Sequence, residues 1–543
     1  MKKLLAAITA LAALFVVSSA SADPMRYGVA DDWPKFHACG DVWWNAAKDI
    51  GYQDLRMTVQ WDESTPTVIQ YQANLQLAID CAVLNNMRPI LSIYPLHPAA
   101  IGSNTAAQGQ FASFVALVGQ AFPSVTNFIV GNEPNVNRFW QPQYAGGHDA
   151  AATDYEHTLA ASYDALKTVR PDSVVWGPAI SSRGNDNATA TSNPSHSPVW
   201  FIKYMGDAYR ASGRTKPIFD EFNMHPYPPV QDADPFSKPF QWPQAGAANL
   251  DRIKQALWDA FNGTGQPVPA EQPGGRTAQS ARFASQGLPM NLDEAGEQTT
   301  VTGHEAAYNH PPENVQPIDE ATQAVRHVEL AHIGECDPDV KAVLWFPLID
   351  DTGLSDGFQS GNMYADLAHK QSYTAMQQAI GADKGNCVSP VSGISTAWTH
   401  TTQVVGAQAI FGGPGTAPGS QPTPKPATLK TLWTSMTATE DASYTVSLLS
   451  ASAGTRRPAA VRSLAPLTGS LQAYYKPGIK IQGPFPPGTY MIQIVLKAAT
   501  NPSRTTTLTS KPFTIGTPAK PARTTKTSTP CKKKTKKGQC IKH

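Results

Sequence analysis

The chain has 543 residues, far more than one small domain of roughly 100 to 200 residues needs. Its 43 Lys and Arg against 42 Asp and Glu leave a formal charge of +1, which excludes a nucleic-acid electrostatic footprint for the body of the chain. The 12 Trp and 17 Tyr supply flat rings that fill cores or stack on the apolar faces of sugars.

The opening stretch, residues 1–22, reads as a secretory signal. Two lysines precede an apolar run from Leu4 to Val17, and the small residues Ala20 and Ala22 stand before Asp23. That run is shorter than the roughly 20 residues needed to span a bilayer, and no later stretch is long and apolar enough, so a secreted, extracellular chain with no membrane span is expected. In an oxidising environment its six cysteines read as disulfides rather than as thiol or metal chemistry. Cys39 with Cys81 and Cys336 with Cys387 are the favoured pairs, since each joins neighbouring segments of one domain. Cys531 and Cys540 flank a lysine-rich loop near the end and form the third.

From Asp23 to Cys387 short apolar runs alternate with longer segments of 3.6-residue periodicity. The runs are "MRYGVA", "DLRMTVQ", "PILSIYP", "NFIVGNE", "SVVWGPA", "PIFDEFNMH", "PMNLDEAG" and "VLWFPLI". Such an alternation predicts an α/β fold, a (β/α)8 TIM barrel over residues 23–387, with long insertions after the fifth, sixth and seventh strands, at the face where barrel enzymes keep their chemistry. A doubly wound sheet would more often open with a Gly-rich phosphate loop after the first strand, and none is present. Residues 388–424 read as a connecting segment, with the short strand-like piece "STAWTHTTQVVGAQAIF", and a Pro/Gly-rich linker. Residues 425–516 alternate like half-buried strands and predict an all-β, immunoglobulin-like sandwich serving as an accessory domain. Residues 517–543 form a basic tail. The C-terminal module is a candidate for polysaccharide or cell-wall contact.

In a barrel the strand exits converge on one pocket. These exits carry Asp31 and Asp32; Arg56; His97; Asn132 and Glu133; Asp220, Glu221, His225 and Tyr227; Asp293, Glu294 and Glu297; and Trp345 and Asp350. Crowded carboxylates raise one another's pKa values, and an arginine among them holds one ionised. One ionised and one protonated carboxyl group is the requirement for cleaving a glycosidic bond, without any cofactor. Neither HExxH nor close His/Cys spacing occurs, so no metal is expected.

"FIVGNEPN" resembles the fourth-strand signature of the large clan of retaining glycoside hydrolases built on (β/α)8 barrels. "LRMTVQW", "NMHPYP", "NLDEAG" and "VLWF" are similar to the second-, sixth-, seventh- and eighth-strand segments of its cellulase-like and β-xylosidase-like members. The resemblance spans roughly residues 25 to 380. It implies a secreted enzyme that cleaves β-glycosidic bonds of plant or microbial oligosaccharides or glycosides by double displacement. Glu133 would be the general acid/base and Glu294 the nucleophile. Asn132 would meet the sugar 2-hydroxyl, Arg56 and Tyr227 would position the nucleophile, His225 would line the sugar subsite and Trp345 would floor it, with His97 also among the substrate-binding residues. Alternatives are an α-L-arabinofuranosidase of the same clan and a carbohydrate-binding or cell-surface protein without catalysis. The chain departs from the pattern at Ala295-Gly296, and the extra Glu297 adds a third carboxylate. Strand alternation would let only one of Asp293 and Glu294 face inward, and "DEFN" at 220–223 is a competing nucleophile segment.

Overall fold

All eight apolar runs form strands: β1 (Arg26–Ala30), β2 (Asp54–Trp61), β3 (Arg88–Pro95), β4 (Asn127–Val130), β5 (Val174–Ser181), β6 (Glu221–His225), β7 (Met290–Ala295) and β8 (Val340–Trp345). They pair in parallel in this order and close, β8 on β1, into a barrel. The computed structural model describes residues 24–228, 240–271, 287–309, 315–394, 397–412, 431–450, 459–460 and 464–516. The expected signal segment, most of the linker, the Cys531–Cys540 pair and the basic tail lie outside them.

Each strand hands over to a helix: α1 (Val42–Ile50), α2 (Gln72–Leu84), α3 (Thr105–Ala121), α4 (Ala151–Val169), α5 (Pro198–Ser212), α6 (Leu250–Phe261), α7 (Glu320–Cys336) and α8 (Gln371–Asp383). Three of them, α1, α3 and α7, start with an N-cap side chain that satisfies an orphan N–H group: Asp41 accepts from Trp43 N, Asn104 from Ala107 N and Asp319 from Thr322 N. Two layers of apolar side chains result. Ile90, Ile129, Trp176, Ala342 and Leu344 fill the barrel, while residues such as Leu91, Phe128, Leu292 and Trp345 face the surrounding helices. No helix among the described residues is long and apolar enough to cross a membrane.

Charge closes the N-terminal end of the barrel. Asp54, fully buried, is gripped by Arg26 at 2.7 Å and Arg88 at 2.6 Å. Across that end Glu221 accepts from Asn291 Nδ2 at 2.8 Å and pairs with Lys341 at 3.3 Å. Glu221 of the "DEFN" segment therefore sits at the start of β6, among structural partners. Asp220 is likewise committed, to Tyr163 and to the Val175 N–H.

Two bulges break the ladder at the opposite end. Along β5 and β6, Pro178 faces Asn223 and Ile180 faces Met224, which leaves Ala179 as an extra residue with φ 54°. Along β7 and β8, Leu292 faces Val343 and Ala295 faces Trp345, so Asp293 and Glu294 together oppose Leu344. A bulge suspends the alternation of faces.

The chain divides into two compact units at His400/Thr401. The second unit is an antiparallel, immunoglobulin-like sandwich. One sheet holds β9 (Gln408–Gly412), β10 (Thr431–Thr437) and β13 (Gly478–Gln482); the other centres on β11 (Ala442–Ser450) and β14 (Gly488–Ala498), joined by β12 (Leu467–Leu471), β15 (Thr505–Thr509) and β16 (Phe513–Ile515). Along β14, Tyr490, Ile492, Ile494 and Leu496 alternate into the core, as a half-buried strand requires. Strand β9 comes from the stretch expected to be a connector. It pairs with β10 over five residue positions and lays Ala409 and Phe411 against the sandwich core.

Cys39 bonds to Cys81 and Cys336 to Cys387. The second ties the end of α7 to the segment after α8 across 51 positions. A loop of that length corresponds to about 4 kcal/mol in the chain-entropy account. Replacing both Cys336 and Cys387 by Ala should lower the stability measured by denaturant unfolding by about that amount; an unchanged midpoint would show that the crosslink does not restrict the unfolded chain.

Candidate active site

At the C-terminal mouth of the barrel lies a cleft of about 850 Å³, lined by Arg56, Asn132, Glu133, Tyr227 and Glu294 and walled by the aromatic residues Trp33, Tyr94, Phe139, Phe346 and Phe358. Its geometry begins in "GNEPN". Gly131 has φ 99° and lies so close to Tyr155 that a Cβ would sit 2.7 Å from its ring. Only glycine meets both demands. Asn132 turns inward, and Glu133 follows with φ 40°, a strained value for a glutamate. Its N–H donates to the carbonyl of the bulged Ala179 at 2.9 Å, so the two irregular backbones hold each other. Asn135 completes the turn: its amide donates to the carbonyls of Ser181, Arg183 and His196, and its oxygen accepts from Ser181 N at 2.8 Å.

Arg56 organises the floor. Its Nη1 donates to Glu294 Oε2, its Nη2 to Asn132 Oδ1 at 2.7 Å and to Ser92 Oγ at 3.2 Å, and its Nε lies 3.6 Å from Asp293 Oδ2. A guanidinium only donates, so the oxygen of Asn132 is the atom that faces it, and the amide N–H2 is left for the cleft. Tyr227 donates to the other oxygen of Glu294 at 3.0 Å. His225, at the end of β6 and fully buried, places Nδ1 3.0 Å from Glu133 Oε1 and Nε2 3.7 Å from both Asp293 and Glu294.

These contacts set the charges. Burial pushes the Glu294 carboxyl up, but the charges of His225 and Arg56 and the hydrogen bonds from Arg56 and Tyr227 outweigh it and hold the group below the ordinary glutamate value. Burial alone would depress His225; Glu294 and Asp293 reverse this and raise it to about 10. Burial and Glu294 together keep Tyr227 protonated, well above the usual tyrosine range. With Arg56 and His225 positive and Asp293 and Glu294 negative, the buried formal charges cancel, leaving Glu133 half-buried at the cleft edge.

Six of the eight sequence-derived site residues meet here: Arg56, Asn132, Glu133, His225, Tyr227 and Glu294. The β7 bulge turns both Asp293 and Glu294 inward, so the expectation that only one of them could do so is corrected. Glu297 points to α7 instead, 3.5 Å from His327, where burial raises it to about 7. Asp350 is bound by Lys370 and Tyr308.

Two expectations fail. His97 lies outside the cleft, exposed, with Nδ1 3.0 Å from Glu63, because the chain has turned outward two residues past β3. Trp345 is wholly buried on the helix side, packed against Tyr52 and His327. Leu344 fills the barrel, so the inward residue two positions on is Phe346, and that ring lines the cleft. Sequence reasoning missed Phe346, Tyr94 and Phe358. Parity along "VLWF", counted from an inward Leu344, was the signal for the first. Asp31 holds the rim together, accepting from Trp33 N, Trp43 Nε1 and Leu348 N, while burial raises it to about 6.

No family model and no curated protein matches the chain. Among solved structures it is similar to a family 39 glycoside hydrolase from Bacteroides cellulosilyticus WH2 (TM-score 0.44, 13% identity, 85% of this chain and 81% of that one). It is also similar to a glucosidase from Croceicoccus marinus (TM-score 0.43, 12% identity, 85% and 94%). A third is an FMN-binding β-glucuronidase from Facaelibacterium prausnitzii L2-6 (TM-score 0.36, 12% identity), where the alignment takes in 91% of this chain and 56% of that one.

The charge balance predicts that His225 stays an imidazolium at pH 8, since its pKa is raised from 6.5 to about 10. Its contribution to stability is then fully present below pH 6.5 and is lost as pH rises through about 10. Histidine-selective NMR, assigned with His225→Asn, should find no titration of this ring between pH 6 and 8. Glu294→Gln removes the largest raising charge and should move its titration to lower pH.

Proposed function

We propose that the chain is a secreted retaining glycoside hydrolase that cleaves β-glycosidic bonds by double displacement. The observation that carries this reading is the pairing of Glu294, held ionised by Arg56 and Tyr227, with Glu133 on the same cleft across a shared imidazolium. Glu294 attacks the anomeric carbon while Glu133 gives its proton to the departing oxygen. A glycosyl ester on Glu294 and a free alcohol result. Glu133, now a carboxylate, takes a proton from water as the water attacks the anomeric carbon and releases Glu294. The free N–H2 of Asn132 donates to the 2-hydroxyl, an interaction that strengthens as charge develops. The aromatic walls accept the apolar faces of the sugar. The two disulfides suit an oxidising, extracellular compartment, and the sandwich serves as an accessory module.

Chemical rescue separates the two glutamates. Glu294→Gly should lose roughly four orders of magnitude or more in rate, the scale of losing a nucleophile, and azide should restore turnover with a glycosyl azide of inverted configuration. In Glu133→Ala, substrates with good leaving groups should still glycosylate the enzyme, and azide should give the retained product. A wild-type product of inverted anomeric configuration, seen by NMR early in hydrolysis, would sink the double-displacement reading.

The pH profile of kcat/KM should be a bell set by the coupled pair. Its acid limb reports ionisation of Glu294. Tyr227→Phe removes one of the interactions that lower that carboxyl, so the limb should move to higher pH. A limb that stays put or moves down would show that Glu294 does not set it.

A further inference from the structure

We infer that the leaving-group side of this cleft accepts a carboxylate-bearing group, such as a uronic acid residue, through Arg138 and Arg183. This rests on the glycosidase reading above, because that reading says which side the leaving group occupies: the general acid must touch the departing oxygen, so the leaving group lies against Glu133. The wall on that side is built from the loops after β4 and β5, joined by Asn135 and by the hydrogen bond from Glu133 N to Ala179 O. Each loop contributes one arginine to the cleft, Arg138 and Arg183, and both are exposed.

Both arginines stand on fixed backbone. Arg138 is flanked by Phe139, which meets Tyr94 edge-on at 6.1 Å, and by buried Trp140, edge-on to Tyr155 at 5.6 Å. The carbonyl of Arg183 accepts from Asn135 Nδ2 at 3.2 Å. The next residue, Gly184, is bracketed by the side chain of Gln244, which bonds both its N–H and its carbonyl at 2.8 and 2.7 Å. A Cβ on Gly184 would come within 2.0 Å of the His196 carbonyl, so this loop is packed without slack.

Charge on the two walls is uneven. The carboxylates facing the cleft from the β1 side each have partners: Asp31 in its three hydrogen bonds, Asp32 with Lys35 at 3.0 Å and Thr58 N, and Asp351 with Phe358 N at 2.9 Å. Arg138 has no ion-pair partner among the described residues, and its guanidinium lies over the Phe139 ring at 5.5 Å from the centroid. A planar guanidinium binds a carboxylate through two parallel N–H donors, which selects an anionic substituent over a neutral one of the same shape. Charged hydrogen bonds of this kind correspond to roughly ten- to hundredfold in affinity.

The test uses two aryl glycosides that differ only in that charge, 3-carboxyphenyl and 3-carbamoylphenyl, each made on β-glucosyl, β-xylosyl, β-galactosyl and α-L-arabinofuranosyl groups. The measured quantity is the ratio of kcat/KM for the two, taken on one preparation so that partial misfolding cancels. Wild type should favour the carboxylate by about tenfold or more, and the preference should weaken on adding salt. In Arg138→Ala/Arg183→Ala the ratio should fall to a baseline that reflects leaving-group acidity alone, and the double lysine variant should lie between. A wild-type ratio equal to that baseline overturns the inference while leaving the glycosidase reading intact. A preference that survives in the double alanine variant overturns the assignment to these arginines. Failure of every glycoside, charged or neutral, overturns the proposed function and the inference with it.

Discussion

Arg56 is a guanidinium buried at the mouth of the barrel, above a layer of apolar side chains, and most of the site's geometry follows from what that burial requires. A charge removed from water is tolerable only if counter-charge and hydrogen-bond acceptors replace the water. The acceptors come from three other strands: Ser92 of β3, Asn132 at the exit of β4, and Asp293 with Glu294 on β7. Satisfying Arg56 therefore fixes the side-chain amide of Asn132, keeps Glu294 ionised and brings the second to the seventh strand in register around one point. His225 extends the same logic, since a second buried cation is stable only because Asp293 and Glu294 outnumber Arg56.

The backbone carbonyl of Asp293 accepts from Arg56 Nη1 at 3.4 Å, while its carboxylate lies 3.6 Å from Arg56 Nε and 3.7 Å from His225 Nε2, held there by charge. Its place depends on the β7 bulge, without which one of two adjacent carboxylates would point at the helices. The other irregularities, φ 54° at Ala179 and φ 40° at Glu133, meet in one backbone hydrogen bond. Strain of this kind persists only where neighbours over-determine it, and Asn135, Tyr155 and Asn223 do so here, Asn223 by accepting from Ala179 N at 2.9 Å. These three departures from regular geometry gather at the C-terminal end of the barrel, around Arg56, Glu133 and Glu294, while a further shift at Lys341 lies at the other end.

The fold was legible because buried parallel strands are continuous apolar runs, and eight of them are separated by helix-period segments. Arg56, Glu133, His225 and Glu294 were legible for a related reason: a charged residue at the C-terminal end of such a run has nowhere else to go. Trp345 and Phe346 show the limit. Both are aromatic, Trp345 ends β8 and Phe346 follows it, and which one faces the cleft depends on strand parity, which the apolar content of "VLWF" does not encode. His97 required knowing where the chain turns away after β3. The β7 bulge inserts its residue without any glycine or proline to announce it. Gln408–Gly412 ends a strand-like stretch, and β10 supplies the edge it pairs with.

The ends of the barrel use the same chemistry for different purposes. Asp54 with Arg26 and Arg88, and Glu221 with Lys341, are carboxylate–cation clusters much like the one around Arg56. At the N-terminal end they seal the barrel, and no partner is left to change. At the C-terminal end Glu133 keeps one side toward the cleft, and the group beside it, His225, is held as an imidazolium up to about pH 10. An imidazolium so stabilised is a poor proton acceptor at neutral pH, so on the mechanism proposed above His225 would not relay the proton of the general acid. On the proposed mechanism that proton passes between Glu133 and the leaving group or water directly. His225 is then a fixed positive charge set between Glu133, Asp293 and Glu294.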